Sequence, residues 1–431
     1  MATTMPPSAG GAMGAMWGNR LAGAHMASAG PAAHAPVNPR PHLAATLLLL
    51  LATLLALAAP LQAAPRIGVA TMQPGEIFFE RFGHNAIVVD DPALGLPVSY
   101  NFGFFDLDEP GFTGNFIRGD MHYRLVALPL QDDLVYYRDV GRGASLQWLD
   151  IAPSQARSLA AALAENARPE NARYRYDYFT DNCATRVRDA LDNALDGLLH
   201  RQLQGRSRGD TYRSESLRLA SPDPWMWLGF DLGLGPSSDR PLSRWQQGFL
   251  PRHLADDLRE IRHPDGRALV HEEIELLPQL QAAEPVSSPR SVWPWLLAGC
   301  VVAIAILMIA PHRPRLLAGV ALPFWSTCGV LGLVLLLGWA FTEHQAMWAN
   351  RNLMLLNPLC LLLLPGGWAL LRGRQPSVRF RMLLLVVAGI AVLACLPLWL
   401  QAWPQRNGNW IALLLPIHAA FAWAWARMPQ R

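Results

Sequence analysis

The sequence predicts an α+β domain exported across a membrane and followed by a five-helix transmembrane α-bundle. Three observations predict it. A long apolar run stands near the N-terminus, five more apolar runs fill the C-terminal third, and the stretch between them mixes short β-branched runs with helical periodicities. Of the 431 residues, 52% are apolar and only 16% are charged, a balance that places part of the chain in lipid. Charge divides in the same way: residues 65–290 hold 24 Arg against 32 Asp and Glu, and residues 291–431 hold 10 Arg against one acid, Glu343. The chain thus joins an acidic soluble domain to a basic apolar tail. There is no lysine, and no block of like charge points to nucleic acid.

Residues 1–64 read as an N-terminal extension and a signal peptide or anchor. HLAATLLLLLATLLALAAPLQAAPR comes after Arg40, has an apolar core of under ~20 residues and ends in the small residues Ala63 and Ala64. Cleaved or retained, such a segment exports the domain that begins at residue 65. The extension before it is rich in Ala, Gly and Pro, and a start at Met26 would shorten it to an ordinary length.

In residues 291–431 the apolar runs cover 292–311, 316–340, 353–371, 382–400 and 410–426, each near the ~20 residues that cross hydrocarbon as a helix. With residue 290 outside, the connecting loops and the C-terminal end hold eight Arg inside and two outside, as the positive-inside rule requires. Trp293, Trp295, Trp348, Trp403, Trp410 and Trp425 stand near the ends of the runs, where interfacial anchors sit. The expected location is the inner membrane of a bacterium, multi-pass, with residues 65–290 in the periplasm.

Within residues 65–290 the strand signals are RFGHNAIVVDD, opening at His84, VSYNFGFFD over 98–106, DMHYRLVALPL, ASLQWLDI and YRYDYF. PSQARSLAAALAENA reads as a helix opened by Pro153 and Ser154. A second helix comes directly after YRYDYF: Asp181 or Asn182 caps it, and Ala184, Val187, Leu191, Ala194, Leu195 and Leu198 recur on one face. Cys183 falls in its first turn. Four other cysteines, Cys300, Cys328, Cys360 and Cys395, lie in the apolar runs, where small packing residues are expected. Cys183 alone is exported, with no exported partner for a disulfide.

A thiol in the first turn of a helix meets free N–H groups and the positive end of the dipole, which stabilise a thiolate and supply donors for an oxyanion. A nucleophilic thiol also needs a base. His84 opens a strand, and Asn101 on the next strand is able to reach its imidazole; His122, opening another strand, is the rival base. His200, His253, His263 and His271 lie in polar stretches and read as solvated. Adjacent acids such as Asp132 with Asp133 point apart and also read as solvated faces. No metal-ligand spacing, P-loop or dinucleotide fingerprint appears, so neither metal nor cofactor is expected.

ERFGHNAIVV, YNFGFFD, YDYFTDNCATRVRDAL and PWMWLGFDLGLGPSSDRP, then GFLPRHL and apolar runs containing NRNLMLLNPL, resemble the Lnb-type family over roughly residues 70–365. That family is similar to circularly permuted NlpC/P60 and LRAT-like thiol enzymes with a papain-like core, in which the histidine strand precedes the nucleophile helix. The resemblance implies Cys183 as nucleophile and His84 as base, with Asn101 orienting the base. It also implies N-acylation of lipoproteins, with phospholipid as acyl donor and a lipoprotein N-terminus as acceptor. His344, Asn350, Asn352 and Asn357, near the start of the third apolar run and on the side of the thiol, are candidates for binding the lipid headgroup or for capping helix ends. Two other functions are open: a cysteine hydrolase of peptidoglycan peptides or lipid, and a membrane protein in which Cys183 and His84 only pack.

Overall fold

The computed structural model describes residues 45–48, 50, 63–286, 291–375, 377–396 and 405–427. The chain divides into two compact units, 1–61 and 62–431. Of the first, residues 45–48 and 50 are described and are helical; most of the expected signal segment lies outside the described residues.

In the second unit a seven-stranded sheet comes first. Its strands are β1 (Arg66–Met72), β2 (His84–Asp90), β3 (Val98–Phe104), β4 (His122–Pro129), β5 (Ala144–Leu149), β6 (Arg173–Arg175) and β7 (Val270–Leu277). They lie in the order β6-β4-β3-β2-β1-β5-β7, and every pairing is antiparallel. The helices of this part are α1 (Phe112–Arg118), α2 (Leu130–Asp139), α3 (Pro153–Asn166), α4 (Cys183–Ala194), α5 (Leu198–Leu203), α6 (Tyr212–Ala220), α7 (Pro224–Gly233), α8 (Arg244–Gln247) and α9 (Pro251–Glu260).

The central strands are apolar on both faces because both faces are covered. Ile67, Val69, Ile87, Val89, Tyr100 and Phe102 pack with Leu159 and Leu163 of α3, Ala184, Val187 and Leu191 of α4, and Leu254 and Leu258 of α9. The alternate residues Ala70, Met72, Ala86, Val88, Leu146 and Trp148 pack with Leu134 of α2. Gly83 holds the turn into β2 at φ +77°, and a Cβ there would lie 2.9 Å from the carbonyl oxygen of Met72. Glycine is therefore required immediately before His84.

The expected strand YRYDYF is shorter than its composition suggests. β6 ends at Arg175, and Asp177 Oδ1 accepts from the N–H groups of Phe179 and Thr180, closing a turn that pairs Asp177 with Asp181.

The C-terminal helices are α10 (Trp293–Ile309), α11 (Pro314–Phe341), α12 (Leu364–Leu371), α13 (Val378–Leu393) and α14 (Gly408–Ala426). Against the expected five-helix bundle, three segments among the described residues are long and apolar enough to cross a membrane: Pro314–Phe341, Arg351–Leu371 and Gly408–Ala426. α10 is a shorter apolar helix, and the run expected over 382–400 is described as far as residue 396. The segment from Arg351 is not a continuous α-helix. Two 3-10 turns, Arg351–Met354 and Pro358–Leu363, precede α12, opened by Asn350 and Asn357 as caps. Its backbone lies against α11, where a Cβ on Gly332 would come within 2.0 Å of the Leu356 carbonyl oxygen.

The sheet domain is docked on these helices at defined points. Asn350 Nδ2 donates to the carbonyls of Leu232 (2.8 Å) and Gly233 (2.9 Å) at the end of α7, and Asn352 Nδ2 donates to Leu232 at 3.0 Å. Trp227 of α7 packs on Trp295 in the first turn of α10. On the other side, Glu343 N donates to the Arg118 carbonyl, which joins α1 to the segment after α11.

Candidate active site

The helix carrying the thiol is fixed by a capping box. Asn182 Oδ1 accepts from Thr185 N at 2.9 Å, and Thr185 Oγ1 accepts from Asn182 N at 2.7 Å. Asn182 Nδ2 also donates to the carbonyls of Tyr178 and Phe249, 2.9 Å each, so the cap is tied to two other parts of the chain. Asp181, the other candidate cap, instead pairs with Arg186. Ala184, Val187 and Leu191 are buried beneath, which leaves Cys183 as the first helical residue, partly exposed above the sheet.

Sheet register supplies the base. Ala86 lies opposite Asn101, so His84, two residues earlier on the same face of β2, is a diagonal neighbour of Asn101. His84 Nε2 is 2.9 Å from Asn101 Oδ1. Asn101 Nδ2 donates to Asp133 Oδ2 at 3.0 Å and to Ser99 Oγ at 3.1 Å, and Ser99 Oγ donates to the same Asp133 oxygen at 2.8 Å. A carboxylate accepts only, so the Asn101 amide hydrogens face Asp133 and its oxygen faces the imidazole. The hydrogen on His84 is thereby held at Nε2, and Nδ1 is left for the thiol.

Cys183 and His84 lie close enough to act on each other's charge. Burial disfavours the thiolate, but the His84 charge and the backbone N–H groups of Asn85 and Ala184 outweigh burial and lower the Cys183 pKa. Burial likewise disfavours the imidazolium; the thiolate, the bond to Asn101 and the Asp133 carboxylate outweigh it and raise the pKa of His84. Both shifts favour a thiolate–imidazolium pair.

A glycine stands beside the thiol. Gly103 sits at φ +94°, and a Cβ there would stand 3.7 Å from Cys183 Cβ and 3.6 Å from the Tyr176 ring. The hydroxyl of Tyr174 is buried with no hydrogen-bond partner among the described residues, and the guanidinium of Arg186 lies 4.0 Å over its ring. Burial holds the Tyr174 and Tyr176 phenols neutral, well above the usual tyrosine range.

The other candidates lie elsewhere. His122 opens β4 opposite Arg175, with Nδ1 3.7 Å from an Asp120 carboxylate oxygen. His200 meets the Trp245 ring, and His263 bonds the Asp150 carbonyl. Asp210, Glu215 and His253 converge with ligand atoms within 4.8 Å of one another. Glu215 Oε2, however, is already bonded to Arg218 and to His253, which makes the group an ion-pair network.

Of the four residues considered for the headgroup, His344 meets the sheet domain: its ring stacks on Tyr178, and its Nε2 bonds the Phe116 carbonyl at 3.0 Å. Asn350, Asn352 and Asn357 are buried. The first two dock α7, Asn350 and Asn357 cap the 3-10 turns, and Gln405 and Asn407 take up the remaining oxygens of Asn350 and Asn352. The structure thus gives these asparagines the capping and docking work rather than an open headgroup site.

Two residues escaped the sequence reading. Asp133 looked like a solvated acid beside Asp132, yet it anchors Asn101. Only the spacing of Leu130, Leu134 and Tyr137, which turns one face of α2 to the sheet, hints at α2. Tyr174 stood in a short strand whose end the sequence overran.

Residues 64–217 match the model of the Lnb N-terminal periplasmic domain, and residues 282–428 match that of the Lnb transmembrane domain. No curated protein and no solved structure matches the chain. With both parts present in order and the two matches together spanning well over half of its length, the chain belongs to the Lnb-type family, as a membrane protein with a periplasmic N-terminal domain.

Proposed function

We propose that this protein is a thiol acyltransferase of the bacterial inner membrane, crossing it with five helices, that N-acylates lipoproteins from a phospholipid donor. On this reading the sheet domain is a permuted NlpC/P60-like core. The observation that carries the proposal is Cys183 electrostatically paired with a His84 that is itself hydrogen-bonded to Asn101, on a domain docked to its own membrane helices.

His84 takes the thiol proton, and the thiolate attacks an ester carbonyl of the phospholipid. The tetrahedral oxyanion is stabilised by N–H groups at the start of α4 and by the unpartnered Tyr174 hydroxyl. Collapse breaks the acyl C–O bond, the imidazolium protonates the leaving alkoxide, and lysophospholipid departs from an acyl-Cys183 thioester. The α-amine of a lipoprotein N-terminal cysteine then attacks the thioester, and His84 accepts the amine proton as the thiol is restored. Water at this step would give hydrolysis instead, so the transfer depends on a dry site.

The test is mass spectrometry of lipoprotein N-termini in cells that carry the wild type, Cys183→Ser or no copy of the gene. N-acylated termini with the wild type alone support the proposal; identical termini in all three remove it. Release of free fatty acid without N-acylation would select the hydrolase.

A further inference from the structure

Four of the large apolar side chains left exposed on the periplasmic domain stand where it meets the membrane helices. Trp225 is 65% exposed, Ile117 63%, Ile77 56% and Phe79 45%. Trp225 is at the start of α7, whose Trp227 packs on Trp295 in the first turn of α10 and whose end is bonded by Asn350 and Asn352. Phe78 joins the two parts of this edge, with its ring 6.3 Å from Trp225 and 5.4 Å from Phe79. Ile117 is on α1, whose last turn is bonded to Glu343 and His344, just beyond α11. The edge therefore stands at the outer ends of α10 and α11, at the height of the outer leaflet.

From this edge a row of rings runs inward to the thiol. Phe79 and Phe105 have centroids 4.9 Å apart, Phe105 and Tyr123 5.0 Å, and Tyr123 and Tyr176 4.4 Å. The Tyr176 ring and Cys183 Cβ both lie within 4 Å of the place a Cβ on Gly103 would take. Burial keeps Tyr123 and Tyr176 un-ionised, so the row is uncharged along its length.

We infer that Ile77, Phe79, Ile117 and Trp225 rest in the outer leaflet, and that the row Phe79, Phe105, Tyr123, Tyr176 guides one long acyl chain of a membrane lipid from the leaflet to Cys183. The second half rests on the proposed acyl transfer; the first does not. A lipid surface is the occupant because the edge is continuous with helices of the same chain that enter it. A single unbranched chain suits a row one ring wide, which brings the ester to the Tyr176 ring beside Cys183.

The full chain in dioleoylphosphatidylcholine vesicles, carrying a benzoylphenylalanine photo-crosslinker at position 79, 117 or 225, tests the first half. Lipid adducts at all three, and none from a crosslinker at the exposed Arg157 of α3, are expected; absence of adducts at the edge overturns the inference. Phe79→Glu tests the second half through acyl-Cys183 formed from vesicle phospholipid and from soluble p-nitrophenyl acetate. A loss of tenfold or more with phospholipid and less than twofold with the acetate is expected. Equal losses overturn the guiding role. Wild type that accepts neither acyl group, with the adducts intact, defeats the catalytic reading and leaves the leaflet contact standing.

Discussion

Asn101 presents Oδ1 to His84 Nε2 at 2.9 Å, and this pairing decides which imidazole nitrogen can take the thiol proton. Asp133 in turn holds Asn101 in that orientation.

Asp133→Asn replaces an acceptor-only group with one that can also donate, so the Asn101 amide is free to turn over and offer a donor to His84. Acylation of Cys183 by p-nitrophenyl acetate should slow about tenfold, ~1.4 kcal/mol of barrier. Asn101→Ala should slow it by at least as much. Unchanged rates in folded variants, checked by circular dichroism, would show that the series does not orient the base.

The lowered pKa of Cys183 fixes the sign of a pH effect. Its thiolate persists in the folded protein below the ordinary thiol value of ~8.5, so iodoacetamide labelling should rise with pH at a midpoint below that value. His84→Ala removes the cation and leaves the burial, and the midpoint should move up past the ordinary value. The raised pKa of His84 acts the other way: the pair is lost as pH rises through it, which closes the alkaline limb of the acylation rate. Peptide mass spectrometry separates Cys183 from the four cysteines of the membrane part.

Tyr174→Phe deletes the buried hydroxyl that lacks a partner and leaves the ring beneath Arg186. If that hydroxyl stabilises the oxyanion, acylation should fall on the order of 100-fold with the labelling midpoint of Cys183 unmoved. A drop in labelling instead would assign Tyr174 to the thiolate.

Asn350→Ala with Asn352→Ala strips the end of α7 of its donors and leaves the part-buried carbonyls of Leu232 and Gly233 bare. The cost should be about 1–3 kcal/mol for each lost partner. Thermal unfolding in detergent should begin earlier. Cys183 should keep its iodoacetamide reactivity while transfer from vesicle phospholipid declines, because docking, and not the thiol, is damaged.

The sequence by itself determined the division into an acidic sheet domain and a basic apolar tail, the capped helix that begins at Cys183 and the strand that opens at His84. Each of these is written in neighbouring residues: side-chain periodicity, a cap within three positions, a glycine at a turn. Only the tertiary structure decided that His84 and not His122 meets the thiol, because antiparallel register across β2, β3 and β4 depends on pairings many residues apart. The same holds for Asp133, which acts through a contact between a helix and a sheet face, and for Asn350 and Asn352, whose partners lie more than a hundred residues away. A polar side chain looks alike in sequence whether it meets water, a lipid or a distant carbonyl; its partner exists only once the chain has folded.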